Sequence, residues 1–140
     1  MPVLTIHVAT GQHSDAQLET LVVRCSERFA AGLHCPVDRV RVFVTEHRAN
    51  LYCVGGQPVR DSGARAPYFS FVVLEGRSLE DRQALIAAFT DLIVDILDVP
   101  RDLVRGGIVP VAPENWGIAG VPASVARQAE IEARRRAAGT

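Results

Sequence analysis

The sequence predicts an α+β fold in which tandem β-α-β units share one four-stranded mixed sheet, with two helices on one face. Three observations predict it. The chain repeats itself once, in register; each copy sets β-rich runs around a helical apolar stripe; and proline and glycine punctuate both copies at matching places. Residues 2–11 read PVLTIHVATG and residues 67–76 read PYFSFVVLEG, so Pro2/Pro67 and Gly11/Gly76 stand 65 residues apart. One extra residue after Gly11 then changes the spacing to 64, which holds for Ser14/Ser78, Pro36/Pro100, Arg41/Arg105, Tyr52/Trp116 and Gly56/Gly120.

In chain order, residues 2–8 alternate like a strand. Ser14 and Gln17 form a capping box that opens a helix. Leu18, Leu21, Val22, Cys25 and Phe29 supply its apolar face, and Pro36 ends it. Residues 40–45 form the next strand, and Gly55-Gly56 a turn. The second copy follows with a strand at 68–74 and a cap at Ser78. Its helix face is Leu85, Ile86, Phe89, Leu92, Ile93 and Ile96; Pro100 ends the helix, a weaker strand covers 103–111, and a hairpin covers 117–120. A strand–helix–strand unit of this size makes a parallel pair. Val3, Ile6 and Val8, on alternate sides of the first strand, are expected to leave the other sheet face in need of cover, which oligomerisation would supply. The tail 123–138 reads as a polar helix. Its Arg134-Arg135-Arg136 run suits a solvated helix end or a clasp on a neighbour, because no aromatic interleaves it for nucleic acid.

Composition narrows the function. The 140 residues are 48% hydrophobic and 22% charged, with a net charge of -1, so no molecule-wide field favours nucleic acid. The odd set Cys25, Cys35 and Cys53 has no framework spacing and suits reduced thiols; no His/Cys cluster suggests a metal. No apolar run is long enough for a bilayer, and the strand pattern begins at once, with no signal-peptide pattern. A cytoplasmic location is therefore expected.

The Met-Pro start combines with Leu74-Glu75-Gly76-Arg77-Ser78, Val99-Pro100, Arg105 and Glu114-Asn115-Trp116-Gly117-Ile118-Ala119-Gly120. Together these resemble the 4-oxalocrotonate tautomerase family. The first half resembles it through Pro2, Pro36, Arg41-Val42-Phe43-Val44-Thr45-Glu46, Tyr52 and Gly55-Gly56. The chain thus looks like two tautomerase units, 2–60 and 67–122, fused in one domain over 1–140, with 123–140 as a tail. The resemblance implies a tautomerase/MIF-like homotrimer, a small-molecule carboxylate substrate, no cofactor and no nucleic-acid or membrane partner.

It also implies residue roles. Pro2, once Met1 is removed, is a secondary amine able to move a proton; burial near arginines lowers its pKa. Pro67 is internal, its nitrogen is an amide, and its role is structural. Arg77, at a helix start, clamps the substrate carboxylate. Gln12-His13 replaces that arginine in the first half, so one site per chain is expected, with Pro2 facing Arg77 and Pro67 facing Gln12 and His13. Arg41 or Arg105 binds the keto end, from the same chain or a neighbour, and the sequence does not separate them. Trp116, in preference to Tyr52, walls the pocket, with Leu74 beside it. His13, His34 and His47 read as separate surface residues, and Cys53 is not a nucleophile. A hydratase or dehalogenase of the cis-3-chloroacrylic acid type is the alternative within the superfamily. Leu74 and Asn115 stand where that group has an arginine and a glutamate. A non-catalytic scaffold is the third reading.

Overall fold

The computed structural model describes residues 2–139. Met1, whose removal the sequence reading requires, lies outside the described residues, as does Thr140.

Strands β1 (Val3–Ala9), β2 (Arg41–His47), β5 (Tyr68–Leu74) and β6 (Arg105–Val111) form one sheet in the order β2-β1-β5-β6. The outer pairs are parallel and the central pair is antiparallel. Helices α1 (Asp15–Leu33) and α3 (Leu79–Leu97) cross over between the parallel partners and cover one face. Alternation decides which side chains meet them: Leu4, Ile6 and Val8 of β1 and Phe69, Phe71 and Val73 of β5 are buried against Leu21, Cys25, Phe29, Leu85, Phe89 and Ile93. Phe29, Phe71 and Phe89 meet edge to face, with centroids 5.0 to 5.6 Å apart. Ile6 and Val8 thus belong to the helix-covered face, which corrects the expectation that they help to leave the other face bare. With a period of two they must share a side with Leu4. Val3, Thr5 and His7 point the other way, beside exposed Phe43, Tyr68 and Val109.

Both helices begin as expected. Ser14 Oγ accepts from the Gln17 N–H at 3.1 Å while the Gln17 side chain accepts from the Ser14 N–H at 3.0 Å; Ser78 Oγ accepts from Asp81 N–H. They end earlier than the prolines. His34 and Asp98 terminate them in the left-handed conformation, both at φ 53, and Pro36 and Pro100 follow outside, each before a single 3-10 turn. The strands after those turns begin at Arg41 and Arg105, one and two residues later than expected.

Each copy closes with a two-residue hairpin. In β3 (Cys53–Val54) and β4 (Gln57–Pro58) the turn residues Gly55 and Gly56 have φ of 62 and 83; in β7 (Gly117–Ile118) and β8 (Val121–Pro122) Ala119 and Gly120 have φ of 50 and 81. A single-turn helix follows each hairpin, α2 (Val59–Ser62) and α4 (Ala123–Ala126), too short to leave a periodic signal. The tail is not one helix. Arg127, at φ -124 and ψ 24, breaks it into α4 and α5 (Gln128–Ala138), and α5 buries Ile131 against its own chain.

Candidate active site

The antiparallel central pair sets the site. Val3 lies opposite Val72, so the start of β1 stands beside the end of β5. Pro2, buried, precedes β1 and its carbonyl accepts from Arg41 N–H at 3.0 Å. β5 ends at Leu74, Gly76 turns the chain at φ 104, and Arg77 emerges just before the Ser78 cap. Pro2 and Arg77 therefore face one cavity, whose walls include Leu33, Cys35, Val73 and Leu74. Arg39, Arg127, Glu130 and Arg134 complete the enclosure. The enclosed space is about 20 Å³, room for about one water. A groove of about 800 Å³ shares its Arg77, Arg39 and Arg134 walls and runs outward beneath α5.

The electrostatics are lopsided. Four arginines and one carboxylate line the cavity. Arg77 Nη1 donates to the Leu33 carbonyl at 2.9 Å, taking up an unpaired acceptor at the end of α1. Burial, then Arg134, holds the Arg77 guanidinium below the usual arginine range. Arg39 grips Glu130 with two bonds of 3.0 Å, which keeps the Glu130 carboxyl below its ordinary value. Burial pushes the Cys35 thiol up, and Arg77 partly opposes that. A buried amine in such surroundings favours its neutral form, because both desolvation and neighbouring cations penalise the ammonium.

The other proline has a different neighbourhood. Pro67 is buried before β5 and its carbonyl accepts from Arg105 N–H at 3.2 Å. Gln12 Nε2 donates to the Ala64 carbonyl, and His13 Nδ1 lies 3.5 Å from Arg65 Nη2. Arg65 donates to the Leu97 and Asp98 carbonyls at 2.7 and 2.8 Å, as Arg77 does to Leu33. A linker arginine thus occupies the place that the His13 loop leaves empty of positive charge.

Several residues singled out from the sequence lie elsewhere in the chain. Arg41 and Arg105 are exposed and donate to carbonyls of their own approach turns, Asp38 and Val40, and Asp102 and Val104. Tyr52 donates to the Ala66 carbonyl at 2.5 Å, at the Pro67 end. Trp116 is half-buried, with its carbonyl accepting from Ala123 N–H at 2.7 Å, and is not among the cavity walls. His47 is not separate: its Nε2 lies 2.8 Å from His7 Nδ1 on the bare sheet face, because β2 runs beside β1. His34 terminates α1. Arg39, Cys35, Arg127, Glu130 and Arg134 join the site without having been singled out for it. The repeat held a signal for two of them: the 64-residue counterparts of Arg39 and Cys35 are Leu103 and Val99, so these positions differ between a polar and an apolar copy. Among the described residues no His/Cys/Asp/Glu group could hold a metal, and no helix is long and apolar enough to cross a membrane.

Residues 67–126 match the family model described as tautomerase enzyme. The 2-hydroxymuconate tautomerase of Pseudomonas putida is 40% identical over 58 residues, 41% of this chain and 90% of that protein. The enzyme of that name from Comamonas testosteroni is 44% identical over 57 residues, 41% of this chain and 90% of its own length. A solved native fused 4-OT superposes with a TM-score of 0.81 at 29% identity, covering 86% of this chain and 95% of that one. The macrophage migration inhibitory factor of Toxoplasma gondii has the same fold, with a TM-score of 0.70 at 16% identity over 86% and 98% of the two chains. With a relative 40% identical covered over nine-tenths of its length, and with the same mixed sheet and paired helices, the chain belongs to the tautomerase family, whose members are isomerases.

Proposed function

We propose that this chain, one domain built of units 2–60 and 67–122 with a 123–140 tail, is a keto–enol tautomerase acting on a 2-keto or 2-hydroxydienoic carboxylic acid. Pro2 is its proton carrier. The observation that carries this reading is the shared buried cavity of Pro2 and Arg77, set against the capped, amide-bound Pro67. After removal of Met1 the Pro2 nitrogen is a secondary amine. In neutral form it takes a proton from the enol and returns it to a carbon of the resulting dienolate; no external oxidant or cofactor enters the balance. Arg77 holds the carboxylate and stabilises the developing oxyanion. Arg41 or Arg105, exposed at the bare face, completes the site across a subunit boundary, and Trp116 or Tyr52 walls it. The oligomer is a trimer, a proposal supported by relatives described as fused 4-OT trimers, which share the fold at TM-scores near 0.8.

Ketonisation of 2-hydroxymuconate and phenylenolpyruvate tests the reading in protein whose Pro2 terminus is verified by intact mass. Pro2→Ala and Arg77→Ala should each lower kcat/KM by about 100-fold or more. The acetylenic acid 2-oxo-3-pentynoate, which inactivated a relative of 27% identity, should leave one adduct, on Pro2. Unchanged activity in both variants would overturn the Pro2–Arg77 assignment, and a wild type that ketonises neither enol would leave the fold as a non-catalytic scaffold.

A further inference from the structure

The tail helix α5 lies over the Pro2 cavity, and the proton-transfer reading gives it no part. Arg127, Glu130 and Arg134 recur at three and four positions, so one face of the tail supplies three of the cavity walls. While α5 is seated the enclosed space is about 20 Å³, room for about one water, and neither enol proposed as substrate fits. The seat is slight. From Gln128 to Ala138, Ile131 is buried, Arg134 is half-buried and the other residues are exposed. Glu130 takes two bonds of 3.0 Å from Arg39, and both partners are partly exposed. An element that buries so little apolar surface opens at low free-energy cost. Its N-terminal joint is Arg127, at φ -124 and ψ 24, with no side-chain cap. Seating also leaves the Arg127 Nε–H buried without an acceptor, a penalty that water removes once the helix lifts.

The repeat supplies a comparison. Val99 and Leu103 stand 64 residues after Cys35 and Arg39. They border a cleft of about 550 Å³ at the Pro67 end, where linker residues Gly63, Ala64 and Arg65 form the wall instead of a helix. If the ends of α1 and α3 needed a helical cover for stability, both would carry one. The cover stands at the end whose proline can become an amine.

We infer that α5 is an autoinhibitory lid, seated by Ile131 and latched by Arg39–Glu130, which keeps substrate from Pro2 until it swings away at Arg127. This rests on the reading of Pro2 as the reacting group. A lid that competes with substrate raises the apparent KM by the inverse of the open fraction and leaves kcat alone.

The test loosens the seat without touching a charge. Ile131→Ala keeps every arginine and carboxylate of the cavity, and two readouts follow its opening in the full chain. The first is alkylation of Cys35 by neutral iodoacetamide, mapped by mass spectrometry against exposed Cys53 in the same molecule. The second is ketonisation of phenylenolpyruvate. Cys35 should alkylate about 10-fold faster in Ile131→Ala than in wild type, and KM should fall by a similar factor at unchanged kcat. Ile131→Val should lie between, at about 2-fold, and carries the test alone if circular dichroism shows the alanine variant unfolded. Arg136→Ala, exposed on the same helix, should change neither readout. Cys35 alkylation unchanged in both Ile131 variants, or a kcat that drops as α5 loosens, would overturn the inference. If alkylation rises as expected but no variant ketonises an enol, the isomerase reading fails and the lid over the cavity stands. If wild type ketonises enols and neither readout responds at Ile131, the lid fails and the isomerase reading stands.

Discussion

At Gly106 the edge strand β6 passes so close to the Phe69 ring that a Cβ would collide with it, whereas a Cβ at the neighbouring Gly107 would meet open space. Phe69 is fully buried against Phe71 and Phe89 and has nowhere to turn. Gly106→Ala should therefore destabilise the fold by about 1–3 kcal/mol, read as a lower denaturation midpoint at unchanged slope, while Gly107→Ala should show no comparable loss. Nothing in the run Arg105-Gly106-Gly107 distinguishes the two glycines until strand register sets one over the ring. Other residues speak plainly in sequence. Ser14 with Gln17 is a capping box in both sequence and structure, and Gly76-Arg77-Ser78 places the arginine where the strand pairing needs it. The left-handed His34 and Asp98 were not legible, because neither is a glycine and the prolines beyond drew the boundary outward.

Among the elements, α5 is the one that the sequence described least. Its composition is polar and basic, yet it buries Ile131 and is tied to the body by Arg39–Glu130. Both partners are partly exposed, so the pair contributes only about 0.2–1 kcal/mol. Its sign with pH follows from the lowered Glu130 carboxyl: the contribution is complete above the ordinary glutamate range, about 4.3, and is lost as pH falls through the lowered folded value. Amide exchange over residues 128–138 should accordingly quicken by about 1.5- to 5-fold in Glu130→Gln at pH 7, with α1 and α3 unaffected. Equal protection in the variant would mean that Ile131 alone seats the helix.

For the whole molecule, assembly turns on the bare sheet face. It mixes exposed Phe43, Tyr68 and Val109 with Arg41, Arg105 and the His7–His47 pair. The proposed trimer would bury it, and sedimentation equilibrium should return about three times the chain mass. His7 sits against His47 and Tyr68, and burial first, then His47, holds its pKa below the ordinary value. A base with a lowered folded pKa stabilises fully above its unfolded value, about 6.5, and that stability is lost as pH falls through the folded value. The thermal midpoint should therefore fall between pH 7.5 and about pH 5.5, less steeply in His47→Gln. An identical pH response in that variant would exclude the pair as its source.

The sequence by itself determined the two-fold repeat, the mixed sheet with its paired helices, and the asymmetry between Pro2, paired with the Arg77 loop, and the internal Pro67, whose loop carries Gln12-His13 in place of that arginine. Those features are local or periodic, and a repeat in register announces both. The antiparallel β1–β5 pair brings the Arg77 loop to the first proline and the Gln12-His13 loop to the second, as expected from the two halves. Tertiary structure alone decided what else surrounds Pro2. The break at Arg127 then turns the tail back over the cavity, so that Glu130 meets Arg39 across 91 residues. Contacts at such separation depend on where the chain turns, and no spacing within either copy encodes them.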